Sequence, residues 1–228
     1  MDRPFIYINS AMSADGKLST KERKQVRISG KLDFERVDEL RARADAVMVG
    51  IGTILADDPS LTVKSPERRA SRKAAGKAEN PIRIIVDSTA RTPLEADIFK
   101  KGEGKRIIAV SKAASPEKVL KLEEKALVIQ TGARKVDLAA LAGKLKEMGI
   151  NTLMVEGGAT LNWGMLSEGL VDEIYTFVGN LIFGGKTSPT FTDGEGFEEN
   201  EILKLELISV EIIEAGVLLK WKVKGKQA

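Results

Sequence analysis

Six apolar runs of strand length recur along the chain: Phe5 to Ile8, Ala46 to Gly50, Ile82 to Val86, Arg106 to Val110, Ala126 to Ile129 and Thr152 to Val155. Amphipathic stretches fall between them. Residues 31–44 carry Leu32, Val37 and Leu40 on one side, and 137–148 carry Leu138, Leu141, Leu145 and Met148 near helical spacing. Asp137 is placed to cap the second of these and Gly149 to end it. Towards the end, Leu203 to Ile213 and Val217 to Val223 alternate weakly about Glu214-Ala215-Gly216, the pattern of a hairpin. Strands alternating with helices imply a mostly parallel sheet flanked by helices, and the hairpin adds an antiparallel edge. The expected fold is α/β with a mixed sheet.

A chain of 228 residues closes one core of ordinary size, so a single domain over 1–228 is expected. With 43% hydrophobic and 30% charged residues, it has the balance of a soluble globular protein. No apolar run approaches the roughly 20 residues that cross a bilayer, and Met-Asp-Arg-Pro lacks a signal-peptide pattern. The expectation is a cytoplasmic protein with no membrane attachment. There are no histidines and no cysteines. Disulfides and thiolate or imidazole ligands to zinc are thereby excluded, no metal site is expected, and proton transfer falls to carboxylate, lysine, tyrosine, hydroxyl or water.

The net charge of +3 has a local source. Residues 64–80 hold Lys64, Arg68, Arg69, Arg72, Lys73 and Lys77 against Glu67 and Glu79, which gives +4 and leaves −1 for the rest. The segment reads as an exposed basic insertion or a frayed helix, and no nucleic-acid partner is expected. A phosphate contact is the alternative use for it.

In open α/β sheets ligands gather beyond the carboxyl ends of the strands, so the residues after each run carry the functional reading. "VEGGATLNWG", residues 155–164, puts an acid and two glycines between a strand and a helix. Gly157 and Gly158 let a ligand approach the backbone, and the helix start aims N–H groups and a positive dipole end outward, which suits a pyrophosphate. Thr160 adds a hydroxyl, and Glu156 can accept hydrogen bonds from a sugar or base. The plainer alternative is a tight turn in which Glu156 caps the helix.

In "VGIGTILADDPSLTV", Thr53 either caps a helix or binds a phosphate, and Asp57 either precedes a turn or holds a hydroxyl or amine. Asp15-Gly16 is a turn dipeptide, after which Lys17 could meet a phosphate or an oxyanion. Ser88 and Arg91, in "VDSTAR", suit an anion such as a ribose 2′-phosphate, though a cap explains Ser88 equally well. A strand at Ile174 to Phe177 leads to "NLIFGGKTSPTFTDGEGF", whose Gly184-Gly185 loop is either a phosphate- or nicotinamide-side loop or a surface connection. The helix 159–169 has more apolar surface than one stripe needs, in Leu161, Trp163, Met165, Leu166 and Leu170; it is buried within the subunit or meets a partner.

"AMSADGK", "RISG", "LRARADAVMVGIGTILADDPSLT", "NPIRIIVDS", "EGGATLNWGMLSEGLVDE" and "IFGGKTSPTFTDGEGF" occur in this order. Together they resemble the archaeal and fungal riboflavin-pathway reductases and the reductase half of the bacterial bifunctional deaminase-reductase. The resemblance implies a dihydrofolate-reductase-like fold, a homodimer, and NADPH as hydride donor, with NADH possible. It implies reduction of 2,5-diamino-6-ribosylamino-4(3H)-pyrimidinone 5′-phosphate to the ribitylamino product.

Carried over by position, Thr53, Asp57, Ser88, Gly157, Gly158, Ala159, Thr160, Gly184 and Gly185 would hold the cofactor. Arg41, Leu61, Lys64 and Glu156 would face the substrate, with Asn9, Asp15, Lys17 and Ser29 around its ribose and phosphate. Asp57 or Glu156 would assist ring opening or orient the base. Ala14, Ala159 and Lys64 depart from residues common in the family, and only Lys64 touches chemistry, because lysine cannot reproduce a bidentate arginine clamp on phosphate. A pteridine or dihydrofolate-type reductase and a non-catalytic nucleotide-binding module are the alternatives. Without His or Cys ligands, the zinc deaminase reaction of the bacterial relatives is excluded.

Overall fold

The computed structural model describes residues 2–24 and 26–226. Along the chain run β1 (Phe5–Met12), α1 (Lys31–Arg43), β2 (Ala46–Gly50), α2 (Ile51–Asp57), α3 (Pro66–Ala74), β3 (Ile82–Val86), α4 (Asp97–Lys100), β4 (Arg106–Val110) and α5 (Pro116–Glu123). There follow β5 (Leu127–Gln130), α6 (Leu138–Glu147), β6 (Thr152–Val155), α7 (Ala159–Ser167), β7 (Glu173–Val178), a 3-10 turn (Glu199–Glu201), β8 (Leu203–Ile213) and β9 (Gly216–Lys226). All six runs expected to be strands are strands. The fold is α/β with a mostly parallel mixed sheet, and the expected C-terminal hairpin is present as β8 and β9.

The chain divides into two compact units, one of residues 1–4 and 38–154 and one of residues 5–37 and 155–228. In the first, strands neighbour one another in the order β5-β4-β3-β2-β6. β2, β3, β4 and β5 pair in parallel, with Ala46 opposite Ile82, Ile84 opposite Ile107, and Ile107 opposite Leu127. Their apolar side chains, among them Val47, Val49, Ile84, Ile108 and Leu153, are fully buried with Leu141 and Leu145 of α6. α6 starts as expected, the Asp137 carboxylate accepting from Ala140 N at 2.8 Å. In the second unit the order is β1-β7-β9-β8. β1 and β7 are parallel, whereas β9 runs antiparallel to both β7 and β8. Ile6, Ile8, Ile174 and Phe177 are buried there, with Leu161, Met165 and Leu166 of α7. Most of the apolar surface of that helix is therefore buried within the chain.

Two helices depart from their sequence patterns. α1 was expected to present Leu32 inward, yet Leu32 is 54% exposed and Asp33 and Asp38 are the residues it buries. Buried carboxylates persist when paired and hydrogen-bonded. Asp33 holds Arg36 at 2.7 Å, and Asp38 accepts from the backbone N–H groups of Lys64 and Ser65 and from Arg68 at 3.0 Å. In the basic segment, α3 is capped by Ser65 and anchored by Arg72, which is buried. Its guanidinium donates to the carbonyls of Ala42, Ala44 and Ala78 at 2.7–2.8 Å. Lys73 and Lys77 of the same segment are exposed and pair with Glu79 and Asp45.

Candidate active site

In the unit of residues 38–154, the candidate residues gather in two places. α2 starts at Gly50 with no side-chain cap, so Thr53 does not cap it; Thr53 and Asp57 lie one turn apart on the same helical face. Asp58 ends the helix in the left-handed region, its N–H bonding to Ile54 O and its carboxylate accepting from Asp97 N at 2.9 Å. Leu61, 2% exposed, also takes a positive φ of 52°. A branched side chain there costs about 1–3 kcal/mol, a strain that needs surrounding structure to hold it.

That structure is a cage of guanidinium groups. Arg83, in the middle of β3, is fully buried and donates to the carbonyls of Ser60, Ile98, Lys101, Gly102 and Glu103 at 2.6–3.4 Å. Burial, and then the neighbouring Arg106, pull its pKa down to about 10, so it stays cationic at neutral pH. Arg106, its register partner on β4, donates to Ile98, Phe99, Gly102 and Gly104 carbonyls.

On this frame Arg41 reaches Thr62 O at 3.4 Å, and the Lys64 ammonium donates to Ser60 Oγ at 3.0 Å and Thr62 Oγ1 at 2.9 Å. Arg41, Leu61 and Lys64 are thus brought together around residues 60–64. Burial, then Arg41 and Lys101, lower the pKa of Lys64 although much of the residue is exposed. For Asp38, burial alone would raise the pKa, but the N–H groups of Lys64 and Ser65 and the Arg68 pair outweigh it and leave it lowered. The result is a cluster of positive charge in which the Asp38 carboxylate is already committed.

Ser88 stands apart from that group. Its hydroxyl accepts from Val136 N at 3.0 Å, which ties the loop after β3 to the loop after β5. The loop itself turns on the buried Asp87, whose carboxylate accepts from Arg91 N, Thr92 N and Thr92 Oγ1 at 2.5–2.8 Å. The Arg91 side chain is exposed.

In the unit of residues 5–37 and 155–228, Asp15 and Gly184 come together. The Asp15 carboxylate accepts from Ser13 Oγ at 2.5 Å, Phe183 N at 3.1 Å and Gly184 N at 2.7 Å. The Ser13 bond, followed by that from Phe183, holds its pKa at about 2. A carboxylate so engaged is an anchor for the 183–185 loop and not a proton carrier. Lys17 donates to Ser188 O at 3.4 Å and pairs by backbone with Thr190. Ser29 is buried just before α1, and Asn9 is buried on β1 with no partner for its Oδ1.

The turn after β6 has the form the glycines suggested. Gly157 and Gly158 have φ of +83° and +37°, values that a side chain would strain. Gly158 is the N-cap residue of α7 and has no side chain to bond the helix start. The first turn of the helix, with Ala159 and Thr160, brings backbone N–H groups and the positive end of the helix dipole to this glycine turn. This cradle fits the diphosphate of a dinucleotide. Sequence reasoning passed over Asn162, wholly buried in α7, whose Nδ2 donates to Phe191 O at 2.8 Å. It also passed over Arg83; a lone arginine inside an otherwise aliphatic strand was the available signal.

An α/β sheet with its ligand-suited corners at strand ends and an antiparallel hairpin defines a dihydrofolate-reductase-like domain. The structure overlays dihydrofolate reductase from Enterococcus faecalis, solved with NADP(H), at a TM-score of 0.53 and 12% identity, covering 96% of each chain. It overlays Acinetobacter baumannii RibD at a TM-score of 0.79 and 24% identity, covering 98% of this chain and 59% of that longer one. The sequence profile of the RibD C-terminal domain matches residues 4–219, and the chain belongs to that family. A relative in Archaeoglobus fulgidus, 48% identical over 90% of this chain and 94% of its own, is named 2,5-diamino-6-ribosylamino-4(3H)-pyrimidinone 5′-phosphate reductase.

Proposed function

We propose that the chain reduces 2,5-diamino-6-ribosylamino-4(3H)-pyrimidinone 5′-phosphate to its ribitylamino counterpart in riboflavin biosynthesis, with NADPH as donor and NADH as a weaker substitute. The similarity to the A. fulgidus reductase, which extends over nearly all of both chains, carries the reading of the substrate. The uncapped glycine turn at 157–160 supports the coenzyme.

The nicotinamide, when bound, supplies the hydride, which reaches C1′ of the opened ribose. The protein supplies position and charge. Ala159 and Thr160 N–H groups take the diphosphate where Gly157 and Gly158 leave the main chain bare, and Thr53, Asp57 and Ser88 hold the remainder of the dinucleotide. Asp15 fixes the Gly184-Gly185 loop against which it rests. Arg41 and, as a point charge, Lys64 face the substrate beside Leu61, with Lys17, Asn9 and Ser29 in lesser contacts around its ribose and phosphate. Glu156 or Asp57 assists ring opening or else orients the base. In ring opening it accepts the proton of the amine nitrogen on C1′ as the C=N bond forms and the C1′–O bond breaks, and returns a proton to the departing ring oxygen. Ser88 and Arg91, after β3, favour the coenzyme with a 2′-phosphate.

The protein acts as a cytoplasmic homodimer in this proposal. β8 ends its sheet with Leu205, Leu207, Ile208, Val210 and Ile212 all 43–84% exposed, an edge that a second copy would cover. Sedimentation equilibrium is expected to give twice the chain mass. The deciding assay follows loss of reduced nicotinamide absorbance with and without the pyrimidine substrate. Substrate-dependent oxidation, faster with NADPH, is expected; coenzyme binding without turnover would leave a nucleotide-binding module, and turnover with dihydrofolate alone a pteridine reductase.

A further inference from the structure

Asn162 is fully buried in the first half of α7, yet its Oδ1 has no hydrogen-bond partner. The orientation of the amide is settled by chemistry. Its neighbour at 2.8 Å is the carbonyl of Phe191, which can only accept, so the nitrogen must face it. The atom left over is therefore an acceptor. A side chain starting from Gly157 would lie 3.7 Å from both heteroatoms of this amide, which places the amide directly beneath the turn. Buried acceptors without donors are few in folded proteins, and each asks for a reason.

The same helix end is fastened to the 191–197 segment at two further points. Asp193 N donates to Ala159 O at 3.1 Å, and the Trp163 ring packs on the bare backbone of Gly194, where a methyl group would lie 2.1 Å from the ring, and on Phe197 at 4.6 Å between centroids. The Asn162 side chain adds a hydrogen bond from α7 to this segment, beside the turn.

We infer that Asn162 is a positioning residue for coenzyme binding. Clamped by Phe191 O, its amide supports the Gly157-Gly158 turn from below and keeps the N–H groups at the start of α7 aimed at the coenzyme diphosphate. This rests on the proposal that the coenzyme meets that turn. Asn162 never touches the coenzyme; it acts through the backbone above it.

Two variants of the full chain test it, with coenzyme Kd by titration, steady-state KM and kcat, and Tm. Asn162→Leu keeps the approximate volume and removes both hydrogen-bonding atoms. NADPH KM and Kd are expected to rise tenfold or more while kcat and the KM for the pyrimidine change less than threefold. Asn162→Asp adds a readout that packing alone would not move. Protonated, its carboxyl still donates to Phe191 O; ionised, it has no proton to give and brings negative charge beneath the diphosphate. Burial without a cation raises the pKa of such a group. Coenzyme affinity of this variant is expected near the wild-type value at the acid end and to fall as pH rises through that pKa, against a flat wild-type profile.

Unchanged coenzyme Kd in both variants, or a lowered Tm with unaltered KM, would overturn the inference. If Asn162→Leu fails to fold, the pH profile of Asn162→Asp decides alone. A wild-type chain that binds no NADPH would instead sink the proposed function, so the two failures are distinct.

Discussion

The 60–64 corner and the 157–160 turn offer anions two opposite constructions. At 60–64 the attraction comes from side chains: Arg41 and Lys64 sit on a backbone forced into a left-handed leucine and held by the Arg83 cage. At 157–160, in the proposed role, Gly157 and Gly158 bring no side chains, and the attraction would come from peptide N–H groups at the helix start. Charge on long side chains is screened by salt and titrates, whereas oriented peptide dipoles do neither to the same degree. One corner is therefore tunable by substitution and the other by backbone geometry.

The largest way to break that contrast is to remove the cage. Arg83→Met strips donors from five carbonyls, and we expect a loss of about 3 kcal/mol or more, read as a lower denaturation midpoint. Pyrimidine KM should rise in whatever fraction folds; an unaltered midpoint would mean the cage supports nothing. Next in size, Gly157→Val at φ +83° should cost about 1–2 kcal/mol and raise coenzyme KM at least tenfold. Lys64→Met should raise pyrimidine KM alone, with reduced sensitivity to salt. A crossed result, with Lys64 controlling coenzyme and Gly157 controlling pyrimidine, would reverse the assignment of the two corners.

The smallest effect concerns acid. Asp15 holds the 183–185 loop with a pKa lowered from 3.8 to about 2. A carboxyl depressed in the folded state contributes stability above its unfolded pKa and loses it as pH falls through the folded value. Acid unfolding of the wild type should therefore gain slope between pH 4 and 2, and Asp15→Asn should flatten that limb. Asp38, also depressed, places a similar demand on the 64–65 backbone.

The strands were legible because aliphatic runs bounded by turn residues have few other uses, and every one of the six proved to be a strand. The glycine turn was legible for the same local reason: a missing side chain shows in the sequence. The inner face of α1 was not. Asp33 and Asp38 look like surface residues to any hydropathy scale, and what lets Asp38 be buried, Lys64 N and Arg68, lies 26 and 30 residues away. Arg83 and Asn162 were missed likewise, since the carbonyls that accept from them, such as those of Lys101 and Phe191, lie outside the regular strands, on segments whose path no local pattern announces. Thr53 looked like a cap because caps need only local spacing, and α2 starts at Gly50 instead.

The immobility of Arg83 matters beyond stability. A counterion that must swing into place exacts reorganisation energy each time a ligand arrives, but a guanidinium pinned by backbone carbonyls is oriented in advance. It acts as a standing potential behind Ser60, present in an empty and a filled corner alike, so the neighbouring ammonium of Lys64 adds to a field that is already there.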